Sequence, residues 1–151
     1  MLSTGYWQQR KQRIGLKGLD MPVELEMALR LLVATALGAI VGYQRERAGK
    51  RAGLRTHTLI CLGAGLFTVA SIYGFSGDPS RIAAGVVAGI GFIGAGAIVH
   101  ARQEIVAGLT TAATIWAVAG IGLATGAGLY IVAAVTTAIT LIILLLPHPI
   151  R

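Results

Sequence analysis

Charged residues and cysteine are scarce in this chain of 151 residues, and each shortage excludes a class of protein. Asp, Glu, Lys and Arg make up 13% of the sequence, about half of the ~25% that is usual in soluble domains. So few polar groups cannot cover the surface of a soluble domain. The single cysteine, Cys61, excludes a disulfide framework. The low charge, combined with 55% hydrophobic residues, excludes a disordered chain.

Long apolar runs take the place of the missing charge. Residues 56–77, 82–99 and 105–150 contain no Asp, Glu, Lys or Arg. As one helix the last run would measure about 69 Å, more than twice the ~30 Å hydrocarbon core of a bilayer. It must therefore fold back, and the glycine-containing segment 124–128 is the predicted turn. These runs predict an all-α integral membrane protein, a polytopic bundle of about five transmembrane helices.

The predicted spans are 27–43, 56–73, 82–99, 106–123 and 128–146. Arg30 lies one turn inside the first span, from where we expect its side chain to snorkel to the headgroups. The spans divide the chain into a basic tail (1–22), a transmembrane domain (23–147) and a short C-terminal tail (148–151). Met21 offers an alternative start, because translation from it would lead directly into the first span. We therefore expect residues 1–20 to be dispensable.

The loop charges predict an orientation of N-terminus out and C-terminus in. One side of the membrane carries seven basic residues: Arg45, Arg47, Lys50, Arg51, Arg55, Arg102 and Arg151. The other side carries five, namely Arg81 and four in the tail. Because basic loops are retained in the cytoplasm, the first side is predicted to be cytoplasmic. The net charge of +7 is then explained by contact with lipid, and no nucleic-acid partner is predicted.

Glycines are concentrated in the third predicted span. Gly85 and Gly89 form a GxxxG pair, and the same span continues with Gly91, Gly94 and Gly96. Small residues let helices approach closely in lipid, so these five glycines predict a packing face and a central position for the span. An ion path lined by exposed backbone is the alternative. Residues 89–94 also match GxGxxG, but they lie inside an apolar run with no strand before it, which excludes a dinucleotide site.

Polar residues near the spans allow two interpretations. Asp78 precedes a proline and the third span, so it is either a helix cap or a weak metal-ligand candidate at the outer face. Thr110 and Thr111 in the fourth span either bond their own helix or line a polar path. No arrangement of nucleophile, base and orienting group is visible. The sequence therefore predicts a protein that is not an enzyme and needs no cofactor.

Five motifs together carry a resemblance to a known family. They are Arg-Glu-Arg at 45–47, Ala-Gly-Leu-Arg-Thr-His at 52–57, Asp-Pro-Ser-Arg-Ile-Ala-Ala at 78–84, Gly-Ile-Gly-Phe-Ile-Gly-Ala-Gly at 89–96 and Gly-Leu-Thr-Thr-Ala-Ala-Thr-Ile-Trp at 108–116. In this order they resemble the MgtC/SapB membrane proteins over residues 24–146. The resemblance marks seven residues as the functional motif: Arg45, Glu46, Arg55, Asp78, Arg81, Thr110 and Thr111.

The resemblance implies a multi-pass protein of the bacterial inner membrane that is linked to growth in low magnesium and to virulence. It implies regulation of other membrane proteins, such as the F-type ATP synthase or a P-type ATPase, and allows a homo-oligomer. A cation transporter or channel subunit for Mg²⁺ is the alternative function. The chain departs from the family at Gln44, Gly85 and Ala88, where Glu, Gln and Ser are common. We also expect it to be without the soluble C-terminal domain of the virulence-type members.

Overall fold

The computed structural model describes residues 22–99 and 108–146. The basic tail with its alternative start at Met21, and the C-terminal tail at 148–151, lie outside the described residues. Those residues form five helices and no strand. The helices are α1 (Val23–Arg47), α2 (Leu54–Tyr73), α3 (Ser80–Val99), α4 (Leu109–Gly126) and α5 (Tyr130–Leu145). The predicted all-α architecture with five helices is confirmed.

Helices α1 to α4 are each long and apolar enough to cross a membrane. Helix α5 has 16 residues and is apolar but shorter, about 24 Å at 1.5 Å per residue. The last turn lies slightly later than predicted, because α4 continues to Gly126 and the chain reverses through Gly128 at a φ of +79°. The orientation of the bundle across the membrane stays a prediction.

Helix α4 is the centre of the bundle and contacts all four other helices. Half of its residues are buried, whereas only 11% of the third candidate span is buried. Helices α1, α2 and α4 pack most closely around a core of small and aliphatic side chains. The fully buried members of that core are Ala34, Val41, Cys61, Val118, Ile121 and Ala133.

The central position predicted for α3 is therefore wrong. Apart from the backbone of α3 itself, no described atom lies within 4 Å of a Cβ built on Gly85, Gly89, Gly91 or Gly96. Of the glycines in α3, only Gly94 meets a neighbour, the Cβ of Ala112 at 3.7 Å. Close approaches between helix backbones occur at glycines of α1 and α4 instead. A Cβ on Gly42 would lie 2.8 Å from the Leu54 Cα, and one on Gly126 would lie 2.6 Å from the Gly65 carbonyl oxygen. Backbones approach closely there because the glycine places no side chain between the two helices.

Candidate functional site

Arg30 is buried inside the bundle, with 1% of its surface exposed. Its Nη1 donates to the Gly126 carbonyl oxygen at 2.7 Å, and its Nη2 donates to the Glu26 carboxylate one turn earlier. The guanidinium also lies over the Tyr73 ring, 5.3 Å from its centroid. The snorkelling predicted for Arg30 is wrong, because a carboxylate, a ring and the negative end of α4 attract the cation inward. The signal that could have revealed this is the i, i+4 spacing of Glu26 and Arg30.

Arg45 is the second buried arginine of α1, with 3% of its surface exposed. Its Nη2 donates to the Thr111 Oγ1 of α4 at 2.9 Å. The structure thus brings together two residues of the predicted functional motif that lie 66 positions apart. Arg30 and Arg45 thus hydrogen-bond the two ends of α1 to opposite ends of α4. Polar contacts as well as packing stabilise the central position of α4.

Further buried polar atoms lie at the same end of the bundle as Arg45. His57 is fully buried, and its Nδ1 lies 2.9 Å from the Gly53 carbonyl oxygen. The His57 Nε2, the Arg45 Nε and the Gln44 Oε1 are buried without a hydrogen-bond partner. We call Gln44, Arg45, His57 and Thr111 the Arg45 cluster. The cluster joins the C-terminal end of α1 to the N-terminal ends of α2 and α4. Sequence reasoning did not mark His57 or Gln44 as site residues, although His57 ends the motif at 52–57 and Gln44 was noted as a departure from the family pattern.

Glu46 has a structural role beside this cluster. Its Oε2 accepts a hydrogen bond from the Leu54 backbone N–H at 2.8 Å, at the first residue of α2. A carboxylate at this place satisfies an unpaired donor and complements the positive end of the helix dipole. Arg55 is exposed one residue later. The structure therefore separates Glu46 and Arg55 from Arg45, although all three belong to the predicted motif.

A family model described as the MgtC family matches residues 31–151. The chain belongs to the MgtC family. It is 46% identical over 132 residues to a protein of Escherichia coli K12 called "Putative magnesium transporter YhiD", an alignment that covers 82% of this chain and 61% of that relative. It is 39% identical over 117 residues to the SapB protein of Bacillus subtilis, covering 72% of this chain and 50% of SapB.

The MgtC protein of Salmonella typhimurium LT2 is 46% identical to this MgtC family chain over 100 residues, which cover 66% of the chain and 43% of that relative. The chain thus spans about two fifths to three fifths of the length of these curated relatives. No solved structure matches it. The resemblance noted from the motifs is confirmed, and the apolar helices together with the family identify a multi-pass membrane protein.

Asp78 of this MgtC family chain caps the start of α3. Its Oδ1 accepts from the Ser80 backbone N–H at 2.9 Å, and its Oδ2 accepts from the Ser80 hydroxyl at 2.7 Å. Its carbonyl oxygen accepts from the Arg81 N–H at 3.2 Å. Both Asp78 and Arg81 are exposed. Of the two interpretations of Asp78, the geometry supports the helix cap.

The threonine hydroxyls are bonded within their own helices. Seven of them donate to the carbonyl oxygen four residues earlier at 2.6–2.8 Å: Thr35, Thr58, Thr68, Thr114, Thr125, Thr137 and Thr140. Thr110 is exposed and supplies the carbonyl oxygen for Thr114. These hydroxyls follow the local bonding that threonine adopts in apolar surroundings. Thr111 differs, because it accepts from Arg45.

We expect Asp78→Ala to destabilise the MgtC fold by about 0.5–2 kcal/mol and Asp78→Asn to cost much less. Asparagine keeps an oxygen that can accept from the Ser80 N–H, whereas alanine removes both acceptors. Thermal unfolding in detergent measures the difference. If both variants stayed folded and lost the protein's activity to the same extent, the charge of Asp78 would matter for more than capping.

Proposed function

We propose that this MgtC family protein is a regulatory, non-enzymatic protein of the bacterial inner membrane that supports growth in low magnesium by binding another membrane protein. The observation that carries the proposal is the uncovered surface of α3. This helix packs on α4 and, less extensively, on α2. Its glycine-rich side is open, and Phe92 on the same helix is 85% exposed.

An apolar cleft of about 750 Å³ separates α3 from α2. Gly63, Gly85 and Gly89 contribute to its walls, and none of the three has a described atom within 4 Å of its Cβ position. Its remaining lining residues are aliphatic or aromatic, apart from Arg81 at one end. In lipid, helices associate through surfaces of this kind, where small residues allow the backbones to approach each other. The cleft therefore suits a transmembrane helix of a partner protein.

The interior of the bundle supports regulation in preference to transport. Two guanidinium groups, Arg30 and Arg45, lie buried near opposite ends of α1. A divalent cation moving along α1 and α4 would approach both positive charges, and in a low-dielectric interior that repulsion amounts to several kcal/mol. Most threonine hydroxyls are already bonded to their own helices. The resemblance suggests the F-type ATP synthase or a P-type ATPase as the partner. On the same ground we propose a role in virulence.

The test fills the cleft without disturbing the fold. The unfolding temperature of Gly89→Leu should stay within a few degrees of the parent's, because the new side chain meets open space. The variant should nevertheless fail to restore growth in low magnesium to a strain that lacks the protein. Ala134→Leu, which introduces the same side chain on the exposed surface of α5, is the matched control and should restore growth. Growth restored equally by both variants would contradict the proposed role of the cleft.

Magnesium transport is the second candidate function, because the name of the Escherichia coli relative describes that activity. The purified protein in liposomes loaded with a magnesium-sensitive dye distinguishes the two functions. The regulatory proposal expects the same Mg²⁺ entry as in empty liposomes. Protein-dependent entry that rises with the external Mg²⁺ concentration would overturn it and support a transporter.

A further inference from the structure

Arg45 carries a positive charge that no described carboxylate balances. Among the described residues, the one ion pair with a distance within 4.0 Å joins Arg30 to Glu26. Glu46, the carboxylate next to Arg45 in sequence, is bonded to the Leu54 N–H. The hydrogen bond that Arg45 makes is to the neutral hydroxyl of Thr111. An arginine stays protonated in proteins, so the charge cannot be relieved by losing a proton.

The comparison with Arg30 shows what Arg45 lacks. Both arginines lie on α1, and both are at least nine-tenths buried. Arg30 has a carboxylate, a carbonyl oxygen and an aromatic ring around its guanidinium. Burying a cation is costly unless it is paired. The Arg45 cluster therefore requires an anionic group in place of the carboxylate that Glu26 supplies to Arg30.

The other unpaired atoms of the cluster specify that anion further. Because the His57 Nδ1 lies beside the Gly53 carbonyl oxygen, it carries the ring proton, and the Nε2 of the neutral ring is then an acceptor. The Gln44 Oε1 is a second buried acceptor without a partner. A matching ligand combines oxyanion acceptors for Arg45 with at least one hydrogen-bond donor for these two atoms.

The position of the cluster favours a phosphate group. It lies in the last turn of α1 and the first turns of α2 and α4. Helices that span the bilayer would place these turns next to the lipid headgroups. Four basic residues are exposed at the same end: Arg47, Lys50, Arg51 and Arg55. Basic pockets between transmembrane helices attract phospholipid headgroups. Arginine also suits phosphate, because its planar guanidinium can bond two oxygens.

We propose that the Arg45 cluster binds a phosphate oxyanion that also carries a hydrogen-bond donor. Arg45 donates to the phosphate oxygens through its Nε, and the His57 Nε2 and Gln44 Oε1 accept from the donor. Two sources supply this chemistry. A phosphatidylglycerol or phosphatidylethanolamine headgroup has a hydroxyl or ammonium donor beside its phosphate, and inorganic phosphate has its own O–H. The site is separate from the α2–α3 cleft, so its failure and that of the proposed function are distinguishable.

The experiment measures binding to the delipidated full-length protein in detergent. Native mass spectrometry counts bound phosphatidylglycerol, phosphatidylethanolamine or phosphatidylcholine, and equilibrium dialysis with radiolabelled inorganic phosphate measures the free anion. We expect Arg45→Gln to weaken binding by about tenfold or more, the effect of losing one charge-assisted contact. Arg47→Gln is the matched control, because Arg47 is exposed and stacks on Tyr43. It should stay within about threefold of the parent.

Each outcome decides the proposal. Binding of inorganic phosphate without lipid identifies the free anion, and binding only of donor-bearing lipids identifies the headgroup; both support the site. If Arg45→Gln and Arg47→Gln lost binding equally, the anion would be attracted by the basic surface in general and not bound at Arg45. Failure of the parent to bind either source would overturn it. Ligand-free Arg45→Gln should unfold no earlier than the parent, which excludes misfolding as the cause of lost binding.

Discussion

Gly122→Ala is expected to lower the free energy of unfolding by about 2 kcal/mol, and Gly122→Leu should give no folded protein. A Cβ at Gly122 would overlap the Cys61 carbonyl oxygen and lie 2.9 Å from the Ala64 Cβ. Backbone atoms cannot move aside as a flexible side chain can, so overpacking here should cost about 3 kcal/mol. The better helix propensity of alanine returns about 1 kcal/mol. Thermal unfolding in detergent and size-exclusion profiles measure both variants.

Gly120 provides the control two residues earlier on α4. Apart from the backbone of α4, no atom of the described residues lies within 4 Å of its Cβ position, and the residue is exposed. Gly120→Ala should therefore be neutral or slightly stabilising, because only the propensity term remains. If alanine at 120 and at 122 lowered the unfolding temperature equally, the close contact between α2 and α4 at Cys61 would be wrong.

Arg30→Ala is expected to destabilise the bundle by about 3 kcal/mol. The substitution leaves the Gly126 carbonyl oxygen and the Glu26 carboxylate without their common partner, and breaking a buried pair from one side costs about 3–5 kcal/mol. The lower figure applies because the Glu26 side chain is 20% exposed and can turn towards water. Unfolding of the purified protein in detergent checks the loss, with the exposed Arg47→Ala as a control that should change little.

A double substitution distinguishes how much the charges of Glu26 and Arg30 contribute to stability from how much their packing contributes. Glu26→Gln with Arg30→Met removes both charges and keeps much of the volume, so it should recover part of the loss seen in Arg30→Ala. If the double variant were less stable than Arg30→Ala, the pair would not act as one unit. Arg45→Gln offers a second comparison on α1, since Arg45 lacks a described carboxylate and its removal should cost far less.

The number of helices was readable from the sequence because the absence of charge over a long run is a local property. The ends were less readable, since they depend on single residues. Gly108 adopts a φ of +102° directly before α4, and a Cβ there would lie 2.6 Å from the Ala97 carbonyl oxygen. Helix α4 accordingly begins at Leu109 in place of the predicted 106.

The packing order could not be read from glycine content. A GxxxG pair says that a helix can be approached closely, but it does not say that a second helix lies opposite. Gly122 and Gly126 face α2 within the chain, whereas Gly85 and Gly89 on α3 face open space. The motif did identify Arg45 and Thr111 separately. Their contact depends on the crossing of α1 and α4, and a single sequence contains no measure of that crossing.

The attachment of α1 to α4 has a consequence for biosynthesis. Arg30 finds its acceptor on Gly126, which is 96 residues further along the chain. At a synthesis rate of about 5–20 residues per second, the ribosome needs about 5–20 s to reach it. Glu26 lies one turn away on the same helix and can pair with Arg30 from the moment both emerge. Glu26 can therefore neutralise Arg30 while α1 inserts into the membrane. The hydrogen bond from Arg30 to Gly126 forms only after four of the five helices have been made.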